Sequence, residues 1–310
     1  LINCHIDKRV LGVLFLTKIE FDYEKAFGRN YGIFTPEEQE RIRNAKILLV
    51  GCGGIGGVMA ILLARCGVGN FVLVDPDVYE PTNINRQVTC FVDTIGRNKA
   101  EVTAGEIWRI NPEAKIVTYK EIAPDKMEEV IKKEGVAIVV GASDDFAMSV
   151  VALSAANKVG KVAIMPYPVG MLARVSVSLP GGPSPEQFYA LPTGASYEAL
   201  RKLTTTPFFR QRFRKALEYY RDVGGWRDEW FELFLKGERP HSQICPIVWL
   251  TGALGVLEIL KVITGKWKPI VAPLHWHITP TSAGIEEFTP PSVGAKALSL
   301  YYKVREKLKI

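Results

Sequence analysis

The sequence predicts an α/β protein built on a doubly wound, mostly parallel sheet of the Rossmann-like kind. Strand-like apolar runs alternate with segments of helical apolar spacing from Lys46 to about Val169. A glycine-rich loop, residues 51–57, follows the first of these runs directly and opens the first helix of the series. Strands that alternate with helices form a parallel sheet, because each helix returns the chain across one face of it.

Composition narrows the class of protein. The chain has 310 residues, of which 47% are hydrophobic and 23% charged, as in a soluble globular protein. Its longest apolar runs, such as residues 10–16, are far shorter than a membrane span, so we expect a cytoplasmic protein with no membrane partner. The formal charge of +6 is compatible with phosphate-bearing ligands or RNA without demanding nucleic acid.

The cysteine count excludes two further classes. Five cysteines are an odd number, and no two of them form a CxxC pair. This pattern argues against a disulfide framework and against a structural zinc site built from cysteine pairs. We therefore expect no zinc.

The helices and strands of the first half follow from local signals. Thr35 as N-cap and Pro36 at the first helical position predict a helix over residues 34–45. A strand over 46–50, the glycine loop, a helix over 58–69 and a strand over 70–77 then form a mononucleotide-binding half. The alternation continues with helices over 98–111, over 125–135 and up to about Lys158, and with strands over 115–121, 136–145 and 162–169.

The second half changes character. Residues 174–180 alternate polar and apolar side chains, which predicts an edge or antiparallel strand. Residues 196–239 are polar, aromatic and helical in pattern, and residues 246–265 predict a largely apolar, buried helix with Glu258 and Lys261 near its end. Residues 274–280 and 284–290 predict a closing hairpin, and residues 297–309 an amphipathic C-terminal helix.

The glycine loop is the first candidate binding site. Gly51, Gly53 and Gly56 form G-x-G-x-x-G between a strand and a helix, and we assign Gly54 to the same loop. Such a loop lets a phosphate approach the backbone closely, at a helix N-terminus that offers free N–H groups. Asp75, at the end of the next strand, is placed to hydrogen-bond a ribose, and Asp77 is included with it. These residues predict nucleotide binding.

A second polar cluster distinguishes the kind of nucleotide. Asn83, Asn85, Arg86 and Gln87 follow the second strand, and Lys99 starts the next helix. Asp144 ends the fourth strand, where a metal-bound phosphate is within its reach. A dinucleotide site handles pyrophosphate mainly with backbone amides, whereas reaction at the phosphates of ATP requires cations and a metal. We therefore expect ATP and Mg²⁺, with Asp144 as the metal ligand.

Several motifs in order resemble one family. The run AFGRNYG, GCGGIGG, VDPDVYEPTNINRQ, IGRNKA, INPE and GASDDF is similar to the ThiF/MoeB/HesA family, the adenylating relatives of ubiquitin-activating enzymes. The resemblance covers roughly residues 26–180 and returns at residues 250–266. It implies a doubly wound sheet of the ThiF/MoeB type, in a homodimer.

The resemblance also implies a role for each site residue. Asp75 would bind the ribose, Asp144 would hold Mg²⁺, and Arg29 would reach the ATP of the partner subunit. The phosphates would be bound by Asn83, Arg86 and Lys99, with Gln87 beside them. The catalytic residues are then Arg29, Arg86, Lys99 and Asp144, and the product is an acyl-adenylate. Arginine and lysine suit this chemistry because they neutralise the charge that develops on pyrophosphate.

The motifs and the change in composition divide the chain into four parts. Residues 1–25 are an N-terminal extension, and residues 26–180 are the ATP-binding adenylation core. Residues 181–243, called the insertion below, are an aromatic and basic helical segment that serves either as a lid or platform for the acyl substrate or as a helical subdomain. Residues 244–310 complete the core with a helix, a hairpin and a tail.

The departures from the family pattern are informative. The family usually has Asn where this chain has Asp145, and an arginine at the position of Ser149. No cysteine lies between Cys90 and Cys245, so we expect no persulfide or thioester relay. Cys245 itself either faces the site or is a small buried residue at a helix start. His275 and His277 alternate on one strand face as metal ligands can, but no third ligand follows at metal-site spacing, so we interpret them as structural.

The leading hypothesis is an ATP-dependent adenylyltransferase that activates a carboxylate. The carboxylate is the C-terminus of a ubiquitin-like or sulfur-carrier protein, a small molecule, or a tRNA-borne group. The last resembles the threonylcarbamoyladenosine dehydratases, which share a TNxNRQ-like run. Two hypotheses from other classes remain open: an NAD-dependent oxidoreductase and a non-catalytic partner subunit.

Overall fold

The computed structural model describes residues 3–4, 20–189, 191–205 and 225–287, together with Arg214, Glu218 and Arg221. The predicted C-terminal helix over residues 297–309 lies outside the described residues, as does most of the apolar N-terminal segment. Within the described part, the predicted α/β architecture is confirmed.

Nine strands form one sheet in the order β1-β4-β3-β2-β5-β6-β7-β8-β9. β2 to β6 run parallel to one another, while β1 and β7 to β9 pair in antiparallel fashion. The chain steps from β2 to one side for β3 and β4, then returns to place β5 on the other side of β2. A doubly wound sheet binds its ligands at such a switch point. The strands are Asn3–Cys4, Lys46–Val50, Asn70–Val74, Lys115–Tyr119, Ile138–Gly141, Val162–Pro166, Ala173–Ser178, Leu274–Ile278 and Ala283–Glu287.

The described helices of four or more residues are numbered α1 to α10 in chain order. They are Tyr23–Phe27, Pro36–Asn44, Gly54–Arg65, Lys99–Ile110, Met127–Lys133, Phe146–Lys158, Pro185–Phe188, Tyr197–Thr205, Asp228–Lys236 and Cys245–Thr264. The predicted N-terminus of α2 is confirmed, since Thr35 and Glu38 form a complete capping box with Pro36 at the first turn. The insertion contains α7, α8 and α9, with turns and irregular segments between them where the chain is described.

Two apolar layers cover the two faces of the sheet. On one face, alternate side chains of the parallel strands pack with α3, α4 and α10. On the other face the intervening side chains, such as Leu48, Val72 and Val139, pack with α5, α6 and Phe188 of α7. The period of two along each strand produces this division, because successive side chains point to opposite faces.

The strand predicted over residues 174–180 is antiparallel, as expected, but it is not an edge. β7 pairs with β6 on one side and with β8 on the other, and all six of its residues are buried. β8 lies about a hundred residues further along the chain, so the local pattern carries no information about this second partner.

α10 is the predicted apolar helix, and it packs against α3 through glycines. A Cβ at Gly252 would lie 2.8 Å from Val58, and one at Gly255 would lie 2.8 Å from Met59. By length and composition α10 is apolar enough to cross a membrane, but 61% of its apolar window is buried inside the fold. That burial is typical of the core helix of a folded domain.

One carboxylate is buried within this core. Glu258 of α10 is fully buried and accepts hydrogen bonds from Lys261 Nζ at 2.6 Å, Trp276 Nε1 at 2.6 Å and the Ile270 N–H at 2.8 Å. A buried charge is tolerated when it is paired and hydrogen-bonded in this way. Glu258 thereby ties α10 to β8 and to the segment that precedes it.

Glu258→Ala should therefore lower the free energy of unfolding by about 3 kcal/mol, because it leaves the Lys261 ammonium and the indole N–H without their acceptor. Urea unfolding followed by circular dichroism measures the loss. The matched control is Glu121→Ala, an exposed glutamate beyond β4, which should change stability by less than about 0.5 kcal/mol. Equal effects of the two substitutions would contradict this role.

Candidate functional site

The glycine loop joins β2 to α3 at the switch point of the sheet. Gly51 has a φ of 99°, and a Cβ there would lie 2.5 Å from the carbonyl oxygen of Ala142, just beyond β5. A Cβ at Gly56 would lie 1.8 Å from the carbonyl oxygen of Gly51. These two positions accept only glycine, because backbone atoms occupy the space that a side chain needs. The contact places the N-terminus of α3 over the loop.

Gly53 and Gly54, which lie between these two positions, face side chains rather than the backbone. A Cβ at Gly53 would meet only the amide of Gln87, at 3.6 Å. A Cβ at Gly54 would lie 2.9 Å from Val248 and 3.6 Å from Cγ of Arg86. The structure thus brings the predicted polar cluster directly against the predicted glycine loop.

Asp75 lies beneath the loop with 4% of its surface exposed. Its carboxylate accepts the Cys52 N–H at 2.7 Å and the Asp77 N–H at 2.9 Å. Burial raises the pKa of the Asp75 carboxyl, while these two hydrogen bonds act in the opposite direction. Asp75 therefore holds the loop to the end of β3, and its assignment to a ribose stays a prediction.

Asp77 and Lys99 form an ion pair at the rim of the same strand end. Lys99 Nζ lies 3.0 Å from Asp77 Oδ2, with the lysine 8% and the aspartate side chain 51% exposed. Asn98 caps α4 through the Glu101 N–H, and its amide also donates to the carbonyl oxygens of Asp75 and Asp77. The exposed acid of this strand end is therefore Asp77.

The cluster that follows β3 is held by its own backbone. Asn83 Oδ1 accepts the Glu80 N–H at 3.1 Å, which leaves its amide N–H groups as donors. Arg86 Nη1 donates to the carbonyl oxygen of Thr82 at 3.0 Å and to Asn85 Oδ1 at 2.8 Å. Gln87 is 6% exposed, and its buried Oε1 has no hydrogen-bond partner within the described residues. A buried acceptor of this kind beside a glycine loop suits a bound polar ligand.

Asp144 lies exposed in the loop between β5 and α6. Burial lowers the pKa of the Arg86 guanidinium, whereas the Asp144 carboxylate acts to raise it. The two predicted catalytic residues therefore interact electrostatically across the switch point. An exposed carboxylate beside a cationic side chain is compatible with the predicted Mg²⁺ site, since Mg²⁺ prefers one or two carboxylates together with substrate phosphates.

Hydrogen bonds from residues near Asp144 hold the loop that carries it. Asp145 caps α6 by accepting the Met148 N–H at 3.1 Å, and it also accepts a hydrogen bond from Tyr197 Oη at 2.7 Å. Ser149 Oγ donates to the Ser143 carbonyl at 3.1 Å. The two positions that depart from the family pattern thus hold the Asp144 loop, one of them through α8 of the insertion.

Arg29 is the predicted site residue that the structure keeps away from its own glycine loop. It is exposed in the turn Gly28–Asn30, where Asn30 Nδ2 donates to the Cys66 carbonyl at the C-terminal end of α3. The 12 residues of α3 separate this end from the loop by about 18 Å. Arg29 cannot span that distance within one subunit.

Several site contacts come from segments without any motif. Trp249 Nε1 donates to the Arg86 carbonyl at 2.9 Å, and Asn85 Nδ2 donates to the Gln243 carbonyl at 2.9 Å. Val248 lies against Gly54. The sequence contains no signal for these contacts, since their partners are more than 150 residues away along the chain.

A cleft opens between the insertion and the turn that joins β6 to β7. Its volume is about 340 Å³, close to the lower limit for a small-molecule site. Ser242 and Ile244 line the cleft, and Gln243 between them accepts the hydrogen bond from Asn85. The lining residues are Gly170, Met171, Gly225, Trp226, Arg227, Trp230, Ser242 and Ile244.

An aromatic cluster supports one wall of this cleft. The ring of His241 lies 4.8 Å from that of Trp226 and 5.6 Å from that of Phe234. Burial lowers the pKa of His241 to about 4, and the charge of Arg86 acts in the same direction. The wall of the cleft therefore lies within electrostatic range of Arg86.

Burial disfavours the reactive thiolate form in three of the cysteines. Burial raises the pKa of the Cys52, Cys66 and Cys90 thiols. Cys245 is half-buried at the first position of α10. The expected absence of a persulfide or thioester relay stays a prediction.

A glycine loop at a switch point, faced by amide and cationic side chains, defines a nucleotide-binding protein of the doubly wound class. The chain belongs to the ThiF family, whose pattern matches residues 27–293. The resemblance predicted from the motifs is thereby confirmed.

Two curated relatives illustrate the range of the family. Over 157 residues the chain is 32% identical to tRNA threonylcarbamoyladenosine dehydratase of Haemophilus influenzae, covering 50% of this chain and 59% of the relative. Over 137 residues it is 33% identical to the probable adenylyltransferase/sulfurtransferase MoeZ of Mycobacterium tuberculosis, covering 44% of this chain and 33% of MoeZ. The matches thus span about half of this chain and from a third to three fifths of the relatives.

The fold is similar to that of a solved structure. Escherichia coli MccB in complex with ATP has a TM-score of 0.60 at 20% identity, over 82% of this chain and 66% of MccB. The predicted fold of the ThiF/MoeB type is confirmed by this likeness.

Gly56→Ala should lower the free energy of unfolding by about 3 kcal/mol, because the new Cβ collides with the Gly51 backbone. Gly53→Ala should leave stability nearly unchanged, since only the Gln87 amide lies near, but it should weaken ATP binding about tenfold by filling the cradle. Urea unfolding and ATP titration measure the two effects. A folded Gly53→Ala variant with unchanged ATP affinity would rule out the loop as the cradle.

His241 should make the stability of the chain depend on pH. Its folded-state pKa of about 4 lies below the ordinary value of 6.5, so on acidification the unfolded state takes up the proton first. The free energy of unfolding should therefore fall between about pH 6.5 and 4, by about 2 kcal/mol from this residue. Urea unfolding of the wild type and of His241→Gln across this range measures the difference, and parallel pH curves would contradict it.

Proposed function

We propose that the chain is an ATP- and Mg²⁺-dependent adenylyltransferase that activates a carboxylate. The observation that carries this proposal is the position of Arg86, which lies against Gly54 of the glycine loop and interacts with Asp144 across the switch point. A nicotinamide site has no need of this pairing. The family membership and the name of MoeZ support the same reaction class.

The proposed reaction takes place at the α-phosphorus of ATP. A carboxylate oxygen attacks that phosphorus and forms the mixed anhydride, while the bond to the β-phosphate breaks and pyrophosphate leaves with its electron pair. The N-terminus of α3 and the amides of Asn83 and Gln87 hold the phosphates in place. Arg86 and Lys99 stabilise the charge that grows on pyrophosphate, since each offers a cation at the rim of the loop.

Asp144 would hold Mg²⁺ at this site, where the ion would neutralise charge on the phosphates when bound. Lys99 reaches its phosphate by exchanging the exposed Asp77 carboxylate for a phosphate oxygen. Asp75 supports the ribose position from below while it anchors the loop.

Arg29 acts on the ATP of the partner subunit in a homodimer. The support for this assignment is its location at the far end of α3, from which it cannot reach its own glycine loop. A two-fold dimer places the same surface of each subunit against the other, so one arginine can serve each site.

The cleft beside the insertion receives the carboxylate-bearing group. Its walls are largely aromatic and aliphatic, with Arg227 as a cationic residue among them. This lining suits the extended C-terminal end of a ubiquitin-like or sulfur-carrier protein, or a small-molecule carboxylate of similar size. The insertion, residues 181–243, is thus the segment outside the adenylation core that selects the substrate. Cytoplasmic localisation stays part of the proposal.

A second candidate is a tRNA-modifying dehydratase of the threonylcarbamoyladenosine type. The 32% identity to the Haemophilus influenzae dehydratase favours it. That reaction begins with the same activation of a carboxylate, here one carried on tRNA. The formal charge of +6 supports contact with a phosphate backbone.

ATP–pyrophosphate exchange tests the reaction class and the acceptor together. Carrier proteins, tRNA and metabolite carboxylates are compared with Asp144→Ala as the blank, and one class of acceptor should raise exchange above it. Trp230→Ala, in the cleft, should raise KM for that acceptor and leave KM for ATP unchanged. Exchange that stays at the blank for every acceptor, without ATP binding, would refute the proposal.

Subunit complementation tests the position of Arg29. Arg29→Ala and Asp144→Ala should each be inactive alone, but a randomly reassociated mixture should recover about one quarter of wild-type activity, because half of the dimers then contain one intact site. Exchange activity of the mixture measures the recovery. No recovery despite proven subunit exchange would show that Arg29 does not act across the dimer.

A further inference from the structure

Three side chains with metal-binding atoms meet on the hairpin at the edge of the sheet. His275 and His277 lie two positions apart on β8, and Glu286 lies on β9 directly opposite His275. The period of two places all three on one face of the hairpin. One donor atom from each side chain lies within 4.8 Å of the other two.

The spacing of the donors approaches that of a coordinated ion. His277 Nδ1 lies 3.3 Å from Glu286 Oε2. Two ligands of a tetrahedral zinc ion, each about 2.0 Å from the metal, are about 3.3 Å apart. The spacing of these two donors therefore matches one edge of the tetrahedron.

The burial of the donors also suits a metal. Both histidines are 4% exposed, and a neutral imidazole is the form that coordinates metals. Glu286 is half-exposed and supplies a negative charge and a route of entry from solvent.

We propose that His275, His277 and Glu286 bind one divalent transition-metal ion of the zinc class, with water as the fourth ligand; this replaces the sequence-based expectation of no zinc, because the third ligand comes from the neighbouring strand. The site lies on the closing hairpin, and it involves none of the residues assigned to nucleotide binding. Its role is structural: β9 is an edge strand that pairs only with β8 in the described sheet, and the ion fixes it to the two buried histidines of β8.

Arg174 sets the charge requirement of the site. It lies opposite His277 in the pairing of β7 with β8, and it is itself buried. A guanidinium repels a metal cation, so the carboxylate of Glu286 is needed to balance it. Metal affinity should therefore depend strongly on the charge of Glu286.

The hairpin provides a matched pair of variants. Glu286 and Glu287 are adjacent exposed glutamates of β9, but Glu287 is paired with Leu274 and points to the opposite face. Glu286→Gln and Glu287→Gln therefore remove the same charge from the same strand, and only the first removes a proposed ligand. Neither substitution touches the buried core.

The test uses Co²⁺ and Zn²⁺ alone as probes of the untagged full chain, with excess Mg²⁺ to fill sites made only of carboxylates. We expect one Co²⁺ per chain, with the visible absorption of a four-coordinate nitrogen–oxygen site, and its displacement by Zn²⁺. Glu286→Gln should weaken binding about tenfold or more, Glu287→Gln should not, and His277→Gln should abolish the absorption.

Several results would overturn the proposal. They are the absence of a saturable Co²⁺ signal, unchanged affinity in Glu286→Gln, or equal weakening by both glutamate variants. Should His277→Gln fail to fold, the two exposed glutamate variants still decide the question. Pyrophosphate exchange by Glu286→Gln should equal that of the wild type, so this proposal and the proposed function succeed or fail independently.

Discussion

The site depends on two close approaches between backbones. The carbonyl oxygen of Gly51 occupies the space that a side chain at Gly56 would need, and the backbone of Ala142 does the same at Gly51. These contacts seat the first turn of α3 on the ends of β2 and β5, at the switch point. The free N–H groups of the helix therefore face the edge of the sheet where the polar cluster lies.

α10 extends this arrangement from the core to the rim. Its glycines let it pack tightly on α3, its first turn lays Val248 on Gly54, and Trp249 holds the backbone of Arg86. The insertion leads directly into this helix and reaches the Asp144 loop through Tyr197. Substrate recognition by the insertion would thus be coupled mechanically to the phosphate cluster.

The charges of the site are balanced in pairs. Lys99 lies beside Asp77, and Arg86 interacts with Asp144, so each cation has an acid within range. Burial of Arg86 costs free energy that the nearby carboxylate partly offsets. In the proposed function, a phosphate oxygen takes the place of Asp77 beside Lys99, while Asp144 would hold the metal.

The sequence by itself determined the alternation of strands and helices, the cap at Thr35, and the glycine loop after β2, because these signals are local periods and spacings. It also determined which polar residues follow β3 and β5, and hence most of the candidate site. Tertiary structure decided that β7 is interior, that Asp75 is committed to the loop, and that Arg29 lies far from its own site. It alone brought Trp249 to Arg86 and Glu286 to His277, since contacts between distant segments depend on how the sheet is assembled and leave no periodic trace in the chain.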